Sequence, residues 1–222
     1  MASSPEQVKV VFLGESDVGK ASLIAQFTTG NFDPDVVTSL SAQYVSKTVE
    51  YDNLQKAIKF DLWDTAGQEK YRSLAKIFYK DAKVIILVYD ITDRKSFDEL
   101  KSYWYEMVKQ NADPDAIIAI VANKNDLYES QQVKDEEARE FANSIKAIFQ
   151  STSSKSDSGI ISLFDKIGQK YFNPDYDFSA QDQRELEECP RKKKEERQKK
   201  NEPKGIRISI ETSKKEKKKK FC

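Results

Sequence analysis

The chain has 222 residues, enough for one α/β domain with an extension, and its 37 Lys+Arg residues balance 37 Asp+Glu residues. It contains no histidine, which excludes Ser-His-Asp catalysis, zinc bound by histidine and imidazole acid–base chemistry. The two cysteines, Cys189 and Cys222, cannot form a disulfide framework, which favours a cytosolic compartment. The N-terminus has no apolar region typical of a secretion signal, and the chain has no apolar stretch of about 18 residues typical of a membrane span.

Apolar runs of strand length alternate with helical stretches along residues 8–171. The turn-rich residues 51–55 predict an antiparallel hairpin, and the remaining alternation predicts parallel strands covered by helices on both faces. The expected fold is therefore a mostly parallel six-stranded α/β sheet with one antiparallel edge strand, with ligands at the carboxyl ends of the strands. Strands are predicted at 8–13, 44–50, 57–63, 84–89, 116–122 and 148–150, and helices at 21–28, 97–111, 136–144 and 160–171.

A glycine-rich phosphate loop lies between the first strand and the first helix. It matches the P-loop pattern G-x-x-x-x-G-K-[ST] except in the last position, where Ala21 replaces the hydroxyl residue. Backbone N–H groups at the helix start, including that of Ser22, would face a polyphosphate, and the lysine would reach its outer phosphates. Because the missing hydroxyl normally binds Mg²⁺, the loop predicts nucleotide binding with a weakened metal site. Its residues are Gly14, Glu15, Ser16, Asp17, Val18, Gly19 and Lys20.

A second motif, Asp64-Thr-Ala-Gly67-Gln68-Glu, follows the third predicted strand. A carboxylate at a strand end can hold Mg²⁺ through water, a glycine lets the backbone approach the terminal phosphate, and a glutamine can orient an attacking water. The alternative is an ordinary polar turn. The position of the motif after a phosphate loop favours the catalytic interpretation.

A third motif, Asn123-Lys124-Asn-Asp126, follows the fifth predicted strand. The aspartate can accept hydrogen bonds from the guanine N1–H and exocyclic amine, a donor pair that adenine lacks. The asparagine would tie loops together, and the lysine stem would lie over the base. A chance tetrad in a loop is the alternative, disfavoured by the strand that precedes it. The turn after the last strand could present backbone N–H groups to the guanine carbonyl, or be a generic serine-rich turn: Ser153, Ser154 and Lys155.

With these motifs, residues 7–172 resemble the Ras superfamily of small GTPases, and the Rab family most closely. The resemblance implies a P-loop NTPase G domain at 7–174, a flexible N-terminus at 1–6 and a disordered hypervariable basic tail at 175–222. Further segments are similar to Rab-specific ones (59–63, 71–74, 78–82 and 87–92) or to the endosomal branch (45–49 and 111–114).

The resemblance also implies a ligand, a cofactor and partners. GTP or GDP would bind with Mg²⁺, and two switch loops at 33–44 and 64–79 would bind an exchange factor, an activating protein and effectors. Phe32 would stack edge-on against the guanine. Ser39, with Thr38 as a possible substitute, would join Asp64 in holding Mg²⁺.

The same family implies slow GTP hydrolysis by a monomeric enzyme. Gln68 would position water for in-line attack on the γ-phosphate while Lys20 stabilises the developing charge. No arginine is placed by a motif as a finger, so the rate would be low without an activating partner. For the aromatic residues Phe78 and Tyr79, an effector surface and core packing both remain open.

Three residues depart from the family pattern. Ala21 lacks the Mg²⁺-binding hydroxyl, Asp17 places a carboxylate near the phosphates, and Ser41 replaces a glycine that follows the apolar residue of the first switch loop. They predict weaker Mg²⁺–nucleotide binding, faster exchange, or a bias toward the GDP or empty state. The alternative function is a non-catalytic Rab-like binding scaffold. An ATP-using enzyme is disfavoured by the guanine motif.

Charge is segregated along the chain. Residues 190–222 carry 15 Lys+Arg and 5 Asp+Glu, leaving 22 basic and 32 acidic residues in 1–189. No basic patch lies on foldable sequence, so nucleic-acid binding is not expected. A prenylated Cys222 beside the basic tail would anchor the domain to the cytosolic face of endomembranes, with endosomes as the candidate membrane. A solvated tail or a nuclear signal is the alternative.

Overall fold

In a computed structural model, residues 4–32, 43–51, 54–64, 79–176 and 178 are described, and they contain six strands and five α-helices. A π-helical turn, Leu100–Tyr105, joins the second and third helices, and a 3₁₀ helix, Asn125–Ser130, follows the fifth strand. The strands are β1 (Glu6–Leu13), β2 (Gln43–Tyr51), β3 (Lys56–Asp64), β4 (Val84–Asp90), β5 (Ile117–Asn123) and β6 (Ile148–Ser151). The helices are α1 (Lys20–Thr29), α2 (Arg94–Glu99), α3 (Glu106–Asn111), α4 (Asp135–Ser144) and α5 (Ile160–Phe172).

The strands form one sheet in the order β2-β3-β1-β4-β5-β6. Only β2, at the edge, is antiparallel to its neighbour, and the other pairs are parallel. The predicted fold is therefore confirmed. Parallel register places Asp64 beside Phe12 and Asn123 beside Asp90, so the carboxyl ends of β1, β3, β4 and β5 share one edge of the sheet, and the last three of these strands end in a polar residue.

Both faces of the sheet are covered by helices, as the fully buried run of β4 requires. On one face, Leu87 and Ile120 pack in a cluster with Phe97, Trp104 and Ala138 from the helices. On the other face, the apolar side chains come from α1, β3 and α5. There the rings of Phe27 and Phe164 stack with their centroids 3.5 Å apart, and both contact Phe60.

Two details refine the sequence-based expectations. The helix predicted from residue 97 begins at Arg94, because the Asp93 side chain caps it by accepting a hydrogen bond from the Lys95 backbone at 3.0 Å. Tyr79 is only 1% exposed and lies in the core cluster, so core packing is the correct alternative for this residue. Phe78 lies outside the described residues. Among the described helices, none is both long and apolar enough to cross a membrane.

Candidate nucleotide-binding site

The phosphate loop connects β1 to α1 and depends on two glycines. Gly14 has φ +143°, and a Cβ there would lie 2.2 Å from the Val88 carbonyl oxygen. Gly19 has φ +92°, and a Cβ would lie 2.4 Å from Nδ2 of Asn123. Any side chain at either position would therefore clash and strain the backbone. Both positions therefore require glycine, and without side chains there the loop backbone can approach a ligand closely.

Lys20 begins α1 and places its ammonium group inside the loop. Its Nζ donates to the carbonyl oxygens of Gly14 at 3.0 Å and Glu15 at 2.7 Å, and the residue is 6% exposed. Burial lowers the pKa of Lys20 from 10.5 to about 8, although the negative charges of Asp64, Glu15 and Asp17 raise it. The structure thus holds a buried cation where the sequence predicts outer phosphates.

The acidic residues around this lysine differ in burial. Asp64, at the end of β3, is 3% exposed and is the carboxylate with the largest effect on the lysine. Asp17 is exposed, so it lies on the solvent side of the loop, and its backbone is left-handed with φ 63°. Ala21 and Ser22 are partly buried in the first turn of α1. The described residues therefore offer Mg²⁺ the buried carboxylate of Asp64, but no hydroxyl from position 21.

No cluster of three or more His, Cys, Asp or Glu side chains within the described ranges is arranged to hold a metal. A Mg²⁺ ion in this site would need oxygen atoms from the nucleotide and water, or from Ser39, which lies outside the described residues. The carboxylate oxygens of Asp64 are the kind of ligand that Mg²⁺ prefers, and the hydroxyl that would join them is missing because residue 21 is alanine.

Asn123 ties the phosphate loop to the turn after β6. Its Nδ2 donates to the Val18 carbonyl oxygen at 2.8 Å, and its Oδ1 accepts from the Thr152 hydroxyl at 3.1 Å. The side chain is 2% exposed, and Thr152 is fully buried. One amide therefore fixes two loops that lie far apart in the sequence.

The carboxylate of Asp126 is oriented by Ser153. The Ser153 hydroxyl is fully buried and donates to Oδ1 of Asp126 at 2.6 Å. That leaves the second carboxylate oxygen for other donors. Ser154 is 5% exposed, its hydroxyl has no hydrogen-bond partner among the described residues, and Lys155 beside it is exposed. The serine-rich turn is thus part of the same constellation as the guanine motif.

Lys124 is positioned by a residue that the sequence analysis did not single out. Its Nζ lies 2.7 Å from Oδ2 of Asp90, whose Oδ1 accepts from both the backbone N–H and the hydroxyl of Thr92. The lysine adopts the left-handed backbone conformation, with φ 65°. Asp90 ends β4 just as Asn123 ends the neighbouring β5, so its position at a strand end was the available signal.

The remaining predicted residues lie at or beyond the ends of the described ranges. Phe32, at the end of one such range, is 39% exposed. Ser39, Gly67, Gln68 and Cys222 lie outside the described residues, as do most of the two predicted switch loops. The structure therefore brings together the phosphate loop, Asp64, the guanine motif and the serine-rich turn.

Comparison with known proteins supports the same family. The model of the Ras family matches residues 9–173. The Ras-related protein Rab-22A of Homo sapiens is 39% identical over 164 residues, which is 74% of this chain and 83% of that protein. The Ras-related protein RabJ of Dictyostelium discoideum is 40% identical over 162 residues, 73% of this chain and 62% of that protein. With the phosphate loop and the guanine motif joined at one sheet edge, this chain belongs to the Rab family of the Ras superfamily of small GTPases, which are GTP-binding switches of membrane traffic.

Proposed function

We propose that this chain binds GTP and GDP at the joined loops, hydrolyses GTP slowly and switches partners in vesicle traffic according to its nucleotide. The observation that supports this most directly is the bridge made by Asn123 between Val18 and Thr152. It holds a phosphate-binding loop and a base-binding turn in one rigid arrangement. Such preorganisation lowers the ordering cost of binding a ligand that spans both.

In the proposed complex, each group has a separate role. Lys20 directs its ammonium at the outer phosphates. Asp126 accepts hydrogen bonds from the guanine N1–H and amine, while the Ser153 hydroxyl donates to its Oδ1. Lys124, paired with Asp90, lays its stem over the base. Backbone N–H groups of Ser154 and Lys155 face the guanine carbonyl. Adenine would leave the partly buried carboxylate of Asp126 without these donors, which accounts for discrimination.

In the proposed hydrolysis, Gln68 orients a water for in-line attack on the γ-phosphate, and Gly67 allows the backbone to approach it. Mg²⁺, held by Asp64 and Ser39, would neutralise phosphate charge when bound. Ala21 removes one metal ligand, and Ser41, in place of a glycine, would hinder the close approach of the backbone to the phosphates. Asp17 is exposed, so solvent screens the repulsion between its carboxylate and the phosphates. We therefore expect weak dependence of binding on Mg²⁺ and slow turnover.

The switch loops and the tail carry the proposed partners. Residues 33–44 and 64–78 would change with the γ-phosphate and so select exchange factor, activating protein and effectors, whereas Tyr79 belongs to the core. The basic residues after Pro190 and a lipid on Cys222 would hold the monomer on the cytosolic face of endomembranes, endosomes in particular, since each lysine near an anionic leaflet adds about 1 kcal/mol.

A second candidate function is a Rab-like scaffold that binds partners without a catalytic cycle, and the missing hydroxyl at Ala21 favours it. Single-turnover GTP hydrolysis, with and without Mg²⁺, separates the two. The switch proposal expects slow phosphate release that Mg²⁺ accelerates. Guanine nucleotide binding with no phosphate release would leave the scaffold. If ATP displaced GTP at equal concentration, both guanine-based proposals would be wrong.

A further inference from the structure

The helix that crosses the sheet after β4 changes its winding next to the phosphate loop. It is α-helical in Arg94–Glu99, π-helical in Leu100–Tyr105 and α-helical again in Glu106–Asn111. A π-helical turn holds an extra residue, so it changes where the following side chains point, and such turns often occur at functional sites. Leu100 and Trp104, both buried, belong to this turn. The irregular turn therefore determines where the indole of Trp104 lies.

The indole of Trp104 reaches the phosphate loop. Its Nε1 donates to Oε1 of Glu15 at 2.9 Å, and the tryptophan is 1% exposed. An indole N–H is a donor only, and a hydrogen bond to a carboxylate is among the stronger kinds. The contact joins residues 89 positions apart, so it is a tertiary link between the helix and the loop.

Glu15 is held from both ends. Its backbone carbonyl accepts a hydrogen bond from Lys20 at 2.7 Å, while its carboxylate accepts one from the indole N–H. The indole belongs to the core cluster that contains Phe97. Its carboxylate is close enough to the lysine to raise the lysine's pKa. Because Lys20 is expected to contact the phosphates of a nucleotide, the nearby Glu15 carboxylate would repel these phosphates if its side chain turned toward them.

From this arrangement we infer that Trp104 is a positioning residue for nucleotide binding, which retains the negative charge of Glu15 in the helix layer and away from the bound phosphates. The inference rests on the proposed binding of guanine nucleotide to the loop. Nothing in the phosphate-loop pattern requires a tryptophan, since the pattern specifies neither position 15 nor any residue of the helix. A released Glu15 carboxylate would therefore lower nucleotide affinity and not only the stability of the fold.

The test is a double-mutant cycle on GDP affinity in the full chain, using Trp104→Phe and Glu15→Gln. Phenylalanine keeps an aromatic ring but has no N–H, so Trp104→Phe frees the carboxylate and should weaken GDP binding about five- to tenfold. Glutamine has no charge and still offers an oxygen to the indole, so in the Glu15→Gln background Trp104→Phe has no free carboxylate to release. In the double variant, affinity should return to within about twofold of Glu15→Gln.

Two controls separate positioning from mere packing. Trp63→Phe removes an indole that contacts Tyr44 and Lys9, and it should leave GDP affinity unchanged. If Trp104→Phe does not fold, Trp104→Met keeps the test open, because methionine fills the space flexibly and also lacks the N–H, so it should weaken GDP binding in the wild-type background and not in the Glu15→Gln background.

The outcomes are distinct. Rescue of Trp104→Phe, or of Trp104→Met, by Glu15→Gln supports the inference. An equal loss of affinity in both backgrounds would mean that the contact is only structural. Wild-type protein that binds no GDP would overturn the inference together with the proposed function, whereas binding without rescue overturns the inference alone.

Discussion

Replacing Lys20 with methionine is expected to lower GDP affinity about a thousandfold, or about 4 kcal/mol. The ammonium is buried and already held by the carbonyl oxygens of Gly14 and Glu15, so it meets the phosphates with little reorganisation. Methionine fills a similar volume but carries no charge. Equilibrium titration with a fluorescent GDP analogue measures the loss.

The same lysine gives a pH signature with a defined sign. Its pKa is about 8 in the nucleotide-free protein, against 10.5 for an ordinary lysine. Bound phosphate stabilises the ammonium form, so GDP affinity should fall by up to about tenfold between pH 8 and about pH 9 as the free protein loses this proton. Without nucleotide, Lys20 of the folded protein loses its proton near pH 8, whereas Lys20 of the unfolded chain keeps it up to about pH 10.5. Between these two values the unfolded chain therefore binds more protons than the folded protein. The free energy of unfolding should therefore rise across that window, by at most about 3 kcal/mol.

Lys20→Arg is the matched control, because a guanidinium does not titrate in this range. Its residual GDP affinity should be flat between pH 7 and about pH 9. A wild-type affinity that stays constant above pH 8, or an equal decline in the arginine variant, would show that another group titrates.

Asn123→Ala is expected to destabilise the protein by about 2–5 kcal/mol and to weaken GDP binding at least a hundredfold. The substitution leaves the Val18 carbonyl and the Thr152 hydroxyl buried without their partner. It also disconnects the phosphate loop from the serine-rich turn. Chemical denaturation measures the stability, and the GDP titration is repeated at a temperature where the variant remains folded.

Thr152→Val isolates one half of the bridge. It removes the hydroxyl that donates to Asn123 but leaves the bond to Val18, so it should cost about 1 kcal/mol and only a few-fold in affinity. If the valine variant lost as much affinity as Asn123→Ala, the link to the phosphate loop would not be the important half. An alanine variant with normal affinity would contradict the proposed role of the bridge altogether.

Local patterns predict much of this fold. The continuous apolar run of β4 and the turn-rich residues after β2 were enough to predict a parallel sheet with one antiparallel edge strand. The phosphate loop and the guanine motif could be recognised because each combines fixed spacing with a preceding strand. Such signals lie within a few residues of one another and need no knowledge of the tertiary structure.

Other features depend on contacts that a single sequence does not encode locally. The bond from Trp104 to Glu15 joins positions 89 apart and depends on a π-helical turn with no sequence signature. The pairing of Lys124 with Asp90 depends on the register of β4 and β5. Asp93 was a recognisable helix cap that the apolar periodicity alone did not reveal.

Ala21 remains the residue on which the proposed function most depends. The buried lysine, Asp64 and the guanine motif are all in place around a helix start that lacks one hydroxyl. The expected consequence is a site that still selects guanine nucleotide but gains little from Mg²⁺. Even partners outside the first coordination shell are typically worth 10–100-fold in metal affinity, so a direct ligand should be worth at least as much.

The most direct test measures GTP and GDP affinity from metal-free to saturating Mg²⁺ in wild type and in Ala21→Ser. We expect both proteins to bind guanine nucleotide without metal. With Mg²⁺, the serine variant should gain at least about tenfold more GTP affinity than wild type. An identical Mg²⁺ response in the two proteins would contradict the central claim that the missing hydroxyl limits this switch.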